Sequence, residues 1–244
     1  IAGEPLNTIS SYRFKGLSHE DGRPLFHGAE PDREEELDAL YSTMSNEEVI
    51  LTVMERSGTR VPVFQGGLAN YVGFRQFGLS FNLTFSFGNK VRLLRLCDES
   101  NVTPYPGMNV RREFVDRWRK PGDEEHTNIP GLEPDETAEN VWWLGKDYRF
   151  ASYDYYTLYD YSDIRVVNGD YLKLQSLSLR YNVDDAICRR LGLSSAYVSL
   201  SGTNLFTVAN KKLRGQDVTT QSGNSPTINL SLRPSYSLTL NITL

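Results

Sequence analysis

No run of apolar residues in this 244-residue chain approaches the length of about 18 that a membrane-spanning helix needs, which excludes a helical span and leaves strands open. An excess of basic residues is missing too. The sequence sets 26 Lys and Arg against 31 Asp and Glu, a net charge of -5, so it has no basic stripe to neutralise phosphates, and nucleic acid is excluded as a partner. Cysteine is scarce: Cys97 and Cys188 stand far apart in dissimilar contexts, which is neither a metal-ligand spacing nor a disulfide framework. Only three histidines occur, His19, His27 and His126, all in expected surface loops without a Glu or Cys at ligand spacing. HExxH, P-loop and GxSxG motifs are also lacking. No catalytic residue, metal ligand or cofactor site is therefore nominated, and the chain is expected not to be an enzyme. It starts at Ile1 with no Met, basic segment or apolar leader, so a fragment is expected, with any export signal upstream or removed.

What is present is alternation. From Phe77 to Phe87, Phe and Leu at every second position alternate with Gly78, Ser80, Asn82, Thr84 and Ser86. The chain closes the same way, with Tyr236, Leu238, Leu240, Ile242 and Leu244 alternating with Ser, Thr and Asn. Period two over this length is the signature of a β-strand with two unlike faces. In a soluble sandwich the polar face would carry Lys, Glu and Arg; here it carries small uncharged groups, which suit a crowded barrel interior, while the Phe and Leu row suits hydrocarbon. A mean hydropathy of -0.44 is compatible with insertion, because lipid-facing and lumen-facing residues average out.

Five strands are expected, at about 61–74, 77–94, 171–183, 195–208 and 229–244, with a bulge near Gln175-Ser176 to correct a phase slip in the third. Arg75-Gln76 reads as a tight hairpin, and 184–194 as a short link with one turn of helix. The connections 95–170 and 209–228 are long. Short and long connections alternate as periplasmic turns and extracellular loops do in outer-membrane barrels, which places Leu244 in the periplasm and makes 1–60 an extracellular loop region. Five strands do not close a barrel, so the remaining strands come from another chain or an N-terminal portion. Cys97 and Cys188 then fall at opposite ends of the wall and are expected not to pair.

Several short stretches resemble the C-terminal region of the SusC/RagA-like family of TonB-dependent transporters. They are Gly3-Glu4-Pro5, Tyr12-Arg13-Phe14-Lys15-Gly16-Leu17 and Asp21-Gly22-Arg23-Pro24-Leu25-Phe26 near the start, then Gly66-Gly67, Phe87-Gly88-Asn89-Lys90, and Trp118 with Thr127-Asn128-Ile129-Pro130. The best are Asn168-Gly169-Asp170-Tyr171-Leu172-Lys173-Leu174 and Gly202-Thr203-Asn204-Leu205-Phe206-Thr207. Their order carries the resemblance. The chain departs from the family in ending at Leu244 instead of an aromatic residue, and in the acidic stretch Glu30 to Asp38 with the segment up to Arg56, which reads as an extracellular insertion; Glu34, Glu35, Glu36 and Asp38 read as a short solvated helix. The resemblance implies an all-β fold: a transmembrane antiparallel β-barrel, of which this chain supplies the C-terminal five strands of a 22-stranded plugged barrel. It implies import of an oligosaccharide or peptide across the outer membrane of a Gram-negative bacterium. The implied partners are the N-terminal barrel and plug, a SusD-like surface lipoprotein, a TonB complex acting through the N-terminal region, and outer-membrane lipid.

The aromatic-rich segment from Trp142 to Tyr161 is the candidate contact site. Flat rings stack on sugars and anchor protein interfaces, so Trp142, Trp143, Tyr153, Tyr155, Tyr156 and Tyr159 are nominated for ligand or lipoprotein contact, with loop packing and an interfacial girdle as the competing roles. Asp154, Asp160, Asp163 and Asp170 lack EF-hand spacing and read as a solvated loop face. Lys173 and Arg180 fit neither a lipid-facing nor a small-polar scheme. A soluble all-β cell-surface binding or adhesion module is the rival reading.

Overall fold

The computed structural model describes residues 3, 5–96, 111–132, 155–219 and 232–244. In chain order the elements are β1 (Thr8–Tyr12), β2 (Phe14–Leu17), β3 (Pro24–Phe26), α1 (Glu34–Tyr41), α2 (Asn46–Val53), β4 (Met54–Thr59), β5 (Phe64–Phe74), β6 (Phe77–Phe87) and β7 (Lys90–Arg92). There follow α3 (Tyr155–Asp160), β8 (Val166–Asn168), β9 (Tyr171–Asn182), α4 (Asp185–Arg190), β10 (Ser195–Ala209) and β11 (Ser235–Thr243). They fall into two compact units: Ile1–Arg60, Lys90–Val167 and Ser222–Ile228 form one, Val61–Asn89, Asn168–Gln221 and Asn229–Leu244 the other.

The second unit is a five-stranded antiparallel sheet in the order β11-β10-β9-β6-β5. The chain reverses between β5 and β6 in two residues, with Arg75 in the left-handed region at φ 52. The strand β6 ends at Phe87, short of the 94 expected from sequence, because Gly88 takes φ 86 and turns the chain, and Val63 fills the space where a side chain would stand. Gln175 is the extra residue of β9: Asn82 pairs with Ser176 and Leu83 with Leu174. On the other side Asn204 and Leu205 of β10 face the same Gln175, with Asn204 at φ 52. Asn is among the residues that tolerate that conformation, and here its Oδ1 also accepts across the strands from Gln175 Nε2 at 3.3 Å. One bulge thus crosses three strands and rephases them together.

The first unit has its own core of Tyr12, Phe26, Ala29, Leu37, Tyr41, Val49, Val53, Leu96, Phe114, Tyr155, Tyr156, Leu158 and Tyr159. The strand β1 pairs with β4, and β2 with β3. The acidic stretch is helical as expected, but α1 runs on to Tyr41, and Leu37 and Tyr41, four positions apart, turn a buried face inward while the glutamates stay outside. Tyr41 also donates its hydroxyl to Gly28 O at 2.8 Å. Ser45 and Glu48 form a capping box that starts α2.

Candidate functional site

The register of the sheet sorts its residues into two faces. Cross-strand partners share a face, so Phe64, Leu68, Val72 and Phe74 join the Phe77-to-Phe87 row, then Leu172, Leu174, Leu177, Leu179 and Tyr181, then Val198, Leu200, Phe206 and Val208, then Tyr236, Leu238, Leu240 and Ile242. Among the described strand residues, no Asp, Glu, Lys or Arg stands on this face. It is open: Leu238, Leu240 and Leu200 are 73 %, 64 % and 55 % exposed. A contiguous apolar surface of this extent exceeds what water-exposed monomers carry. Aromatic pairs mark its two ends, while Phe81, Phe206 and Tyr236 stand between them. Phe64 stacks on Phe85 and Phe85 on Phe87 at the end with the long connections, with centroids 5.3 and 5.9 Å apart, and Phe77 meets Tyr181 at 5.0 Å at the short-turn end.

The opposite face is mostly Ser, Thr, Asn and Gly, with Tyr71, Tyr171 and Tyr197 among them, and is tied by hydroxyl pairs such as Ser201–Ser237 and Thr203–Ser235, each at 2.7 Å. Lys173 and Arg180 both belong here, on either side of the Gln175 bulge, which explains why no single alternation accommodated them. Lys173 is buried between Thr84 and Thr207. Arg180 sets its guanidinium carbon over the Tyr197 ring, 3.6 Å from the centroid, and donates from Nε to Asn182 Oδ1 at 2.7 Å.

Two motifs close the long-connection end. Asp170 Oδ1 accepts from Gly88 N at 2.6 Å, and Gly169 N donates to Asn89 O at 2.9 Å, so Gly88-Asn89 and Asn168-Gly169-Asp170 are one hydrogen-bonded junction where β6 leaves and β9 enters the sheet.

In the first unit the aromatic segment divides. Trp142, Trp143 and Tyr153 lie outside the described residues. Tyr155, Tyr156 and Tyr159 are core residues, 9 %, 3 % and 2 % exposed, and so offer a ligand little surface. Two buried arginines, invisible as partners in the sequence, hold α3 in place. Arg92 donates to Ser162 O at 3.0 Å and to Ser10 O and Ser11 Oγ at 2.9 Å. Burial pulls its pKa down to about 10, leaving it charged at neutral pH. Arg165 donates to Glu113 Oε2 at 2.8 Å and Leu94 O at 2.6 Å, with Asp160 Oδ1 3.7 Å from its Nε. Burial lowers the Arg165 pKa, but Tyr159, Glu113 and Asp160 outweigh it and hold it above the ordinary value.

Asp160, Asp163 and Asp170 are not a solvated cluster: Asp160 accepts from Leu96 N at 2.8 Å, Asp163 from Phe14 N at 3.0 Å, and Asp170 from Gly88 N. Asp154 lies outside the described residues, among which no group of His, Cys, Asp and Glu could hold a metal ion. His19 is on the surface but paired, its Nδ1 2.5 Å from Glu124 Oε1, and His27 Nδ1 is 3.6 Å from Glu30 Oε1. Trp118 donates its indole N–H to the same Glu124 at 3.0 Å. Cys188 is a buried free thiol; Cys97 lies outside the described residues.

No protein-family model matches the sequence, and no curated protein matches it. Solved structures do share the fold. A chain of the RagAB peptide importer in its open-open state superposes with a TM-score of 0.54 at 14 % identity over 96 % of this chain, and its closed-closed state with 0.53 at 15 % over 94 %. A RagAB peptide transporter structure gives 0.51 at 14 % over 91 %. The chain spans about a fifth of those chains, covering 22 %, 22 % and 20 % of them, and within that share its antiparallel β-architecture is theirs.

Proposed function

We propose that this chain is the C-terminal part of a TonB-dependent outer-membrane transporter that imports a bulky nutrient, a peptide or an oligosaccharide. The observation that carries the reading is the charge-free apolar face and its height. The 11 residues of β6 rise about 33 Å along the strand, and at a tilt of about 40° this makes an apolar band about 25 Å tall between its aromatic ends, the height of a barrel's lipid-facing belt. The fold shared with peptide-importer chains supports the same reading and favours peptide as cargo.

In this reading the edge strands β5 and β11 pair with further strands, since open backbone groups are not tolerated in hydrocarbon, and closure gives a plugged barrel of the 22-stranded class. The short-turn end faces the periplasm and carries Leu244. Residues 1–60 and the 95–170 connection lie outside the cell, where a SusD-like surface lipoprotein closes over the barrel mouth. Contact with ligand or lipoprotein falls to Trp142, Trp143 and Tyr153, with Tyr155, Tyr156 and Tyr159 as the buried footing of their segment. The TonB complex acts through the N-terminal portion of the transporter.

Fractionation of the native cells tests this. Recovery in detergent-extracted outer membrane, together with the rest of a barrel and a surface lipoprotein, is the expected result. Recovery as a soluble monomer would overturn it in favour of an adhesion module.

A further inference from the structure

The polar face holds one arrangement that sheet formation does not require. At its short-turn end Gly78 pairs directly with Arg180, and the Tyr71 ring of β5 leans across Gly73 and Gly78 towards that pair. A Cβ on Gly78 would stand 2.8 Å from the Tyr71 hydroxyl oxygen and 3.0 Å from Cε2, so only glycine leaves the phenol room. On the other side Arg180 rests on Tyr197. Across the strands Arg180 therefore stands between Tyr71, whose ring lies over its partner Gly78, and Tyr197; its Nε is held by Asn182 and its guanidinium carbon lies over the Tyr197 ring, while its terminal nitrogens make no ion pair among the described residues.

A charged group on a face built mostly of Ser, Thr, Asn and Gly needs an anion when that face is covered, because an unpaired buried charge is costly. A guanidinium fork with its orientation fixed matches the two oxygens of a carboxylate, and adjacent phenols supply further donors. The chain as a whole is acidic at -5, yet the described strand positions of this face hold cations, Lys173 and Arg180, and no carboxylate. The complement must come from what covers the face. We propose that Arg180, flanked by Tyr71 and Tyr197, is a carboxylate-binding site that docks an Asp or Glu of the polypeptide filling the interior side of the sheet. This rests on the transporter reading, in which that polypeptide is the plug of the same barrel.

The test is zero-length carbodiimide coupling on the complete transporter in outer-membrane vesicles, using Arg180→Lys, which keeps the cation and adds a reactive amine. Lys15 and Glu30, 3.9 Å apart, serve as the internal control for coupling. The expected result is an amide between the amine introduced at position 180 and a plug Asp or Glu, identified by mass spectrometry without added substrate. In Arg180→Gln, amide exchange around that partner residue should then speed about tenfold, the scale of a lost charge-assisted hydrogen bond. A cross-link that forms only with added peptide would overturn the proposal in favour of substrate carboxylate. Coupling of Lys15 to Glu30 with none at position 180 would overturn it outright. Recovery of both variants in the outer membrane reads the transporter assignment separately, so the two ideas fail independently.

Discussion

The ring of Trp118 occupies the space into which a side chain at Gly22 would project, and Gly22 is itself at φ 69. Gly131 N donates to Gly22 O at 3.1 Å, and Trp118 N to Ile129 O at 2.9 Å. Two short motifs far apart in the chain, Asp21-Gly22 and Trp118 with Thr127-Pro130, are thus one packed turn. Gly22→Ala should cost about 3 kcal/mol through overpacking and backbone strain. Gly122, at φ 97 with nothing within 4 Å of an added Cβ, should cost about 1 kcal/mol in the same change. Hydrogen exchange over 18–26 and 116–131 reads both; equal effects would show that the ring contact is unimportant.

The same turn should respond to pH. Glu124 raises His19 above its ordinary 6.5, while His19, then the Glu124 backbone N–H, Trp118 and Gly122, hold Glu124 down at about 2 from its ordinary 4.5. A raised histidine contributes stability fully present below 6.5 and lost as pH rises through its folded value. A depressed carboxylate contributes above 4.5 and loses it as pH falls towards about 2. The tether between 18–22 and 118–131 is therefore tightest between about pH 4.5 and 6.5. Protection factors in these segments, taken against the intrinsic base-catalysed rate, should fall above that window, and His19→Gln should remove that fall. An unchanged profile in His19→Gln would contradict the pairing.

Glu113 is held below the usual carboxylate range by Arg165 and Arg111 against the opposing effect of burial. Removing one partner strands the other charge. Glu113→Leu alone should destabilise the first unit by about 3–5 kcal/mol, and Glu113→Leu with Arg165→Met by much less. Thermal melts of the single and double variants check this; additive losses would contradict it.

At the shared bulge, Asn204→Gly should be nearly neutral, whereas Asn204→Ala should cost about 1–2 kcal/mol in left-handed strain and the lost Gln175 contact. The temperature at which the folded barrel loses its resistance to detergent denaturation reads the difference. Equal behaviour of the two variants would mean that φ 52 at this position is relaxed.

The sheet was legible because period two is local: the Phe77 and Tyr236 rows declare their faces within single strands, and the Gln175 slip announced its bulge. Lys173 and Arg180 were misfits only until the bulge assigned both to the polar face. The first unit was less legible because long-range partners decide it. Tyr155, Tyr156 and Tyr159 read as contact residues in a run of aromatics, and nothing adjacent signals that Arg92 and Arg165 draw that run into a core. Leu37 and Tyr41 were likewise hidden inside an acidic stretch whose inward face only the helix geometry reveals.

The central claim is that the apolar face meets lipid, and the most direct measurement is the accessibility of spin labels placed at Leu200→Cys and Ser201→Cys in outer-membrane vesicles, with Cys97 and Cys188 replaced by Ser. Adjacent on β10, these positions stand on opposite faces. The account predicts that the label at 200 collides with dissolved oxygen and is shielded from a water-soluble nickel complex, while the label at 201 shows the low oxygen collision of a packed interior. High nickel access at 200 would contradict it.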